Sequence, residues 1–256
     1  MQINTPTSST NYQSLSPSKK PILVFLHGWG CDWQIWARQI RPLSQHFHLL
    51  LPDLPAFGRS RITNQQIWSS QQYITWLRHF LQQTVNKQKF YLIGHSFGGK
   101  IAALYCAQQK SPQPEKLILV DAAGLPQSNK KQKILKTLTK MMPTSLKQHL
   151  GQNLKKRLLD LFGGSTDYLN SDQLQRRIFR QIVNEDIGEK LPKITVQTIL
   201  IWGEEDRDTT LDRGRIMSKL IANSRLIIYK KAGHFPFIDQ SDKFNRFLIE
   251  LKQKKL

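Results

Sequence analysis

The sequence predicts an α/β fold: a doubly wound, mostly parallel sheet with a helical lid inserted between two strands. Three observations carry this. From Pro21 onward, short runs are apolar almost throughout, with little alternation, which is the pattern of strands buried on both faces. Helical stripes separate these runs. Between Gly124 and about Lys193 the alternation stops and only helical stripes remain.

In chain order, the predicted strands are Ile22–Leu26, Leu49–Leu51, Phe90–Ile93, Lys116–Val120, Thr198–Trp202 and Arg225–Tyr229. The predicted helices begin with Trp33–Leu43. A second carries the stripe Ile67, Ile74, Leu77 and Leu81. A third starts at Ser96 and runs through Ile101–Ala107, and Phe244, Phe247, Leu248 and Leu251 mark the last. Within the insertion, stripes fall at Ile134, Leu135, Leu138 and Met142, at Leu146, Leu150, Leu154, Leu158 and Leu161, and at Leu174, Ile178 and Ile182. Pro143, Gly163-Gly164 and Asn170-Ser171 punctuate them. The domain reading is a polar segment over 1–20, a core over 21–123 and 194–256, and a lid over 124–193. A lid at the carboxyl edge of the sheet would cover a ligand crevice.

A chain of 256 residues, 39% hydrophobic, holds one large domain carrying an insertion. No apolar run reaches the roughly 18 residues of a membrane span, and the polar N-terminus does not read as a secretory signal. Two cysteines, Cys31 and Cys106, make neither a disulfide framework nor a metal-ligand spacing, which points to a reducing cytoplasm. Lys and Arg number 38 against 18 Asp and Glu, a formal charge of +20. Such a surplus favours polyanions or acidic proteins. A Lys- and Gln-rich composition spread over a solvated surface is the favoured account, because charge argues about association and not about fold or chemistry. The stretch 125–193 carries 14 basic and 6 acidic residues, with Lys155, Lys156 and Arg157 together and Arg176, Arg177 and Arg180 together, off the apolar stripes. A nucleic-acid partner is not expected.

The segment Gly94-His95-Ser96-Phe97-Gly98 fits G-x-S-x-G and lies between a predicted strand and a predicted helix. A tight turn there presents the Ser96 hydroxyl at a helix N-terminus, where N–H groups and the helix dipole favour developing negative charge. The plainer reading is a glycine turn. A serine alcohol needs a base. Of seven histidines, His234 follows a strand directly, on the same sheet edge as Ser96. His27 opens a glycine-rich loop, His95 adjoins Ser96 and should point elsewhere, and His46, His48, His79 and His149 read as surface or packing residues. The histidine needs a carboxylate to fix its tautomer. Asp206, just past Ile201-Trp202-Gly203, ranks first, Asp121 second and Asp208 third, while Glu204 and Glu205 read as solvated. Oxyanion donors are expected at the Phe97 N–H and, from the loop His27-Gly28-Trp29-Gly30, at the Trp29 N–H. Asp53-Leu54-Pro55-Ala56-Phe57-Gly58-Arg59-Ser60 reads as structural. Leu125, Met142, Phe162 and Phe235, with Phe97 and Met141, are pocket-lining candidates, and each also reads as ordinary core. No metal or organic cofactor is implied.

These segments together, with Gly233-His234-Phe235-Pro236-Phe237, resemble the α/β-hydrolase superfamily over about 21–251. The first, second and last look most like the carboxylesterases that cleave the methyl ester of a pimeloyl carrier protein. The layout is also similar to the hydrolases that cleave carbon–carbon bonds in ring-fission products. The resemblance implies the chain order Ser96, Asp206, His234 and a two-step acyl transfer, with an acyl ester as substrate. It also suggests an acidic carrier protein docked on the basic lid. A C–C hydrolase, or a binding protein that keeps the triad, are the alternatives. Ala56 stands where the pattern usually has Gly, and Thr209-Thr210 where it has Pro or Val.

Overall fold

The computed structural model describes residues 1–253 except 18, 64–65, 87, 127–171 and 184. Among the described residues, nine strands form one sheet. They are β1 (Gln2–Asn4), β2 (Ser8–Leu15), β3 (Ile22–Leu26), β4 (His48–Pro52), β5 (Arg61–Ile62), β6 (Phe90–His95), β7 (Lys116–Val120), β8 (Gln197–Gly203) and β9 (Ser224–Tyr229). Their spatial order is β1-β2-β4-β3-β6-β7-β8-β9, with β5 paired to β2. From β4 to β9 every neighbour is parallel, whereas β2 runs antiparallel to β1, β4 and β5. All residues of β3, β4, β6 and β7 are buried, as continuous apolar runs require when helices cover both faces. Helices α2 (Ser70–Thr84) and α3 (Ser96–Ala107) pack one face, while α1 (Ala37–Ser44) and, at the end of the chain, Ser241–Gln253 pack the other.

Residues 2–15, read from sequence as part of a polar segment, are two strands of the sheet. The inward positions of β2 are Ser8, Thr10 and Tyr12, so burial alternates but hydrophobicity does not. The buried hydroxyls are satisfied: Trp76 Nε1 donates to Thr10 Oγ1 at 2.8 Å, and Ser8 Oγ lies 2.9 Å from Thr5 Oγ1. The helix expected over Trp33–Leu43 is in two parts. Trp33–Trp36 is a 3₁₀ turn capped by Asp32, whose carboxylate accepts from Gln34 N–H at 2.8 Å, and α1 follows. Pro42 inside α1 has no N–H for the Arg38 carbonyl. Asn245 Nδ2 donates to that carbonyl instead, at 3.2 Å.

Between β7 and β8 the described part of the insertion is helical: α4 (Gln173–Ile182) and a 3₁₀ turn, Gly188–Lys193. The stripe Leu174, Ile178, Ile182 faces inward on α4, with Ile178 and Ile182 buried. The stripes from Ile134 to Leu161 lie outside the described residues. Lys100, in α3, ties the returning chain down. Its side chain is 3% exposed, it donates to the Ile182 carbonyl at 2.6 Å, and it pairs with Glu185 Oε2 at 3.1 Å. Ser70 Oγ also donates to Glu185.

The junction of β6 and α3 is crowded. A Cβ on Gly94 would stand 2.5 Å from the Gly98 carbonyl oxygen, and one on Gly98 would stand 2.5 Å from both the Leu26 and His27 carbonyl oxygens. These are buried backbone atoms, of α3 in the first case and of the end of β3 and the residue after it in the second, and they cannot swing aside. Gly98→Ala is therefore expected to cost about 3 kcal/mol, read as a lower urea midpoint at unchanged slope.

Candidate active site

Strand β6 ends at His95 and α3 starts at Ser96, with no residue between. Ser96 makes the turn alone, at φ +50°, a conformation that costs a side-chain-bearing residue about 1–2 kcal/mol. The turn is held from three sides. Ala123 N–H donates to the Ser96 carbonyl at 3.0 Å. The Trp29 and Phe97 rings meet edge to face at 5.3 Å. Beneath the turn, the buried His95 ring lies 2.8 Å, at Nε2, from the His234 carbonyl. Burial, with the neighbouring His234 next, holds the His95 ring well below the usual imidazole range, so it is neutral and donates from Nε2. The residue beside Ser96 thus carries the backbone of His234.

The His234 loop follows β9. Gly233 N–H donates to Asp239 Oδ2 at 2.8 Å. Helix α5 (Leu211–Leu220) lies between β8 and β9, and the short helix α6 (Pro236–Asp239) follows His234. Gln39 Nε2 on α1 donates to the Phe237 carbonyl of α6 at 2.7 Å. The His234 Nδ1–H donates to Asp206 Oδ2 at 2.9 Å, with the histidine side chain 13% exposed and the aspartate side chain 0% exposed. That bond places the lone pair of a neutral ring on Nε2. Asp206 Oδ1 accepts the Asp208 and Thr209 N–H groups at 2.8 and 3.0 Å, and Thr209 Oγ1 donates to Oδ2 at 2.6 Å. Burial alone would raise this carboxyl. The hydrogen bond and charge of His234, with the Asp121 and Thr209 side chains, outweigh it and hold the group below the usual carboxylate range.

The other sequence candidates fall elsewhere. Asp208 is exposed, as are Glu204 and Glu205. Asp121 is buried at the end of β7 and accepts Gly203 N–H at 3.0 Å. His27 is buried and neutral: its Nε2 accepts Leu54 N–H at 2.8 Å, and its Nδ1–H donates to the Gly28 carbonyl at 2.8 Å, which locks the Trp29 loop to the Asp53 loop. Asp53 accepts from Trp33 N–H, Arg59 N–H and Asn11 Nδ2, each at 2.9 Å. Ala56 adopts φ +75° without being glycine. Leu125 is half-buried on the side of the sheet that α2 and α3 cover, and the Phe235 ring lies 4.9 Å from the His95 ring. Met141, Met142 and Phe162 lie outside the described residues. A cavity of about 470 Å³ opens between α2, α3 and the returning insertion, lined by Ser70, Ile74, Leu104 and Lys193 among others, and touches none of Ser96, Asp206 and His234.

Sequence reasoning missed Thr209 as a donor to Asp206. The departure from the family pattern at that position was its one visible signal. Asp121, Asp206 and His234 also bring one donor atom each within 4.8 Å. Those of Asp206 and His234 are committed to each other.

Chemically, this edge of the sheet is equipped for hydrolysis: a buried carboxylate orients an imidazole, and a serine is held in a strained turn at the start of a helix. The Alpha/beta hydrolase family model matches residues 23–247, and the chain belongs to that family. The chain is 26% identical to monoacylglycerol lipase ABHD6 of Bos taurus over 257 residues, 91% of this chain and 76% of that protein. It is 27% identical to the pimeloyl-[acyl-carrier protein] methyl ester esterase of Legionella pneumophila (strain Paris), over 89% of this chain and 93% of that protein. The enol-lactonase of Burkholderia xenovorans LB400 superposes with a TM-score of 0.72 at 20% identity, covering 96% of this chain and 97% of that one, a likeness of fold.

The depressed Asp206 carboxyl has a consequence for stability. Its folded value lies below its unfolded one, so the unfolded chain binds more protons in acid. The stability it contributes is complete above about pH 4 and is lost as pH falls through the folded value. Asp206→Asn should flatten the acid limb of a urea-midpoint-against-pH curve relative to the wild type.

Proposed function

We propose that the protein hydrolyses carboxylic esters, with Ser96 as nucleophile, His234 as general base and Asp206 as the group that orients it. The observation that carries this reading is the 2.9 Å bond from His234 Nδ1 to Asp206, which turns the ring's basic nitrogen free of the carboxylate. His234 Nε2 takes the Ser96 proton as the oxygen attacks the ester carbonyl. The C–O bond to the alcohol breaks, His234 returns the proton to the leaving oxygen, and water, activated in the same way, releases the acid. Phe97 N–H is among the first amides of α3, which have no acceptor within the helix, and serves as one oxyanion donor. Trp29 N–H, from the loop that His27 locks, serves as the other. Asp206 keeps its negative charge and stabilises the imidazolium between the two transfers.

The names of the relatives, a monoacylglycerol lipase and a methyl ester esterase, support an ester of an acyl chain. The C–C hydrolase reading has support in fold alone, through a meta-cleavage product hydrolase at 19% identity. Leu125 and Phe235 are assigned to substrate binding, together with Met142 and Phe162, which lie outside the described residues. Among the described residues no helix is long and apolar enough to cross a membrane. Neither Cys31 nor Cys106 forms a disulfide among the described residues, which supports a reducing compartment, the cytoplasm.

Ser96→Ala should abolish turnover of p-nitrophenyl butyrate while leaving the circular dichroism spectrum and urea midpoint near those of the wild type. Full activity in that variant would remove Ser96 from the mechanism. A second reading concerns the substrate's carrier. The surplus of basic residues over 125–193 favours an acidic carrier protein. Reversing Lys155, Lys156 and Arg157 to Glu should weaken binding of an acyl carrier protein at low salt about tenfold or more. Unchanged affinity across a salt series would leave the small ester as the whole substrate.

A further inference from the structure

The proposed triad leaves Asp121 without a task, yet its side chain is buried against the one carboxylate the triad depends on. Asp121 ends β7 at φ +43°, and Asp206 follows β8, the next strand in the sheet. Asp121 Oδ1 accepts Gly203 N–H at 3.0 Å, which fixes the carboxyl's plane. Oδ2 has less than 1 Å² exposed and, among the described residues, no N–H or hydroxyl directed at it. A carboxylate oxygen of Asp121 and one of Asp206 lie within 4.8 Å of each other. Asp206 has its own charge matched by two backbone N–H groups, the Thr209 hydroxyl and His234. Two anionic carboxylates in contact, out of water, repel strongly, whereas an acid and a carboxylate attract.

We propose that the pair shares one proton, held on Asp121 Oδ2, and that Asp121 acts as a neutral acid donating a hydrogen bond to Asp206. This makes Asp121 a positioning residue. It satisfies its own otherwise unpartnered oxygen and holds the Asp206 carboxylate in the plane that His234 needs. The Thr209 hydroxyl has one proton for two acceptors, the Asp121 carbonyl at 2.9 Å and Asp206 Oδ2 at 2.6 Å, and the shorter contact is to Asp206. The charged and titratable groups facing the pair are His234 and Asp239, with the neutral His95 ring, Arg213 and Asp208 on the Asp206 side. Burial first, and the bond to and charge of Asp206 next, push the Asp121 carboxyl well above the carboxylate range, in line with this geometry. The catalytic consequence rests on the triad reading, but the placement of the proton does not.

Asp121→Asn tests the proton directly. The amide keeps an acceptor for Gly203 and an N–H donor for Asp206, and it changes no charge if Asp121 is already neutral. The imidazole titration of His234, followed by NMR, should then overlay that of the wild type. An anionic Asp121 would be unmasked by a midpoint about one unit or more lower in the variant, because a negative charge beside the imidazole has gone, and that result overturns the proposal. Folding supplies a second readout that needs no turnover. A carboxyl raised in the folded state takes up a proton on folding, so wild-type stability falls as pH rises from about 4 towards the raised value. The urea midpoint of Asp121→Asn should therefore gain on the wild type steadily between pH 4 and 7, and a gap that does not change with pH overturns the proposal. In ester turnover, Asp121→Asn should keep kcat within a few-fold, whereas Asp121→Leu, which has no donor, should lose up to about 100-fold in kcat at unchanged KM. Equal losses in the two variants would show that the hydrogen bond does not matter. If Ser96 proves not to be the nucleophile, the NMR and urea arms still decide where the proton lies.

Discussion

The hydrogen bond between His234 and Asp206 is the constraint around which this sheet edge is built. Its two residues belong to different loops, one after β8 and one after β9, and the parallel register sets Gly203 beside Tyr229. From there the loops are joined by backbone bonds, Glu204 N–H to the Tyr229 carbonyl and Glu205 N–H to the Ala232 carbonyl. The two side chains therefore meet with little freedom left to lose. The Asp206 side of this bond is out of water, and the carboxylate is compensated by two amides and a hydroxyl, so it resists the burial that would otherwise protonate it.

The serine side of the site is organised by sterics rather than charge. A strand that turns into a helix without a loop forces one residue into a left-handed conformation, and that residue is Ser96. Close backbone packing leaves no room for side chains, at Gly94 against the first turn of α3 and at Gly98 against the end of β3. The strain is sustained because the turn sits in a core of buried strands on one side and beneath the Trp29, Phe57 and Phe97 rings on the other. His95 then links the two halves of the site, since a residue of the turn carries the carbonyl of His234.

The six parallel strands were legible because each is a short apolar run, and the elbow was legible because its glycines and serine sit where a strand gives way to a helix. Less was legible where burial and polarity part company. β2 buries Ser8 and Thr10, whose hydroxyls find partners only in the folded chain, so no pattern of hydrophobicity marks it. The ranking of Asp206 over Asp121 came from chain position. What separates them in space is that Asp206 meets the imidazole while Asp121 turns to Gly203 N–H, a contact 82 residues apart that spacing cannot reveal. Thr209 was visible only as an odd residue after the acid. The 470 Å³ cavity beside α2 touches none of Ser96, Asp206 and His234, so the size of a hollow does not mark the catalytic edge.

The family accounts for the scaffold, and this chain's own side chains account for the chemistry proposed for it. The most direct measurement is the site of covalent capture. After treatment with a fluorophosphonate, peptide mass spectrometry should find the label on Ser96 alone, and His234→Ala should slow its attachment by several orders of magnitude. Label on another residue, or attachment to Ser96 at the same rate without the imidazole, would contradict the account.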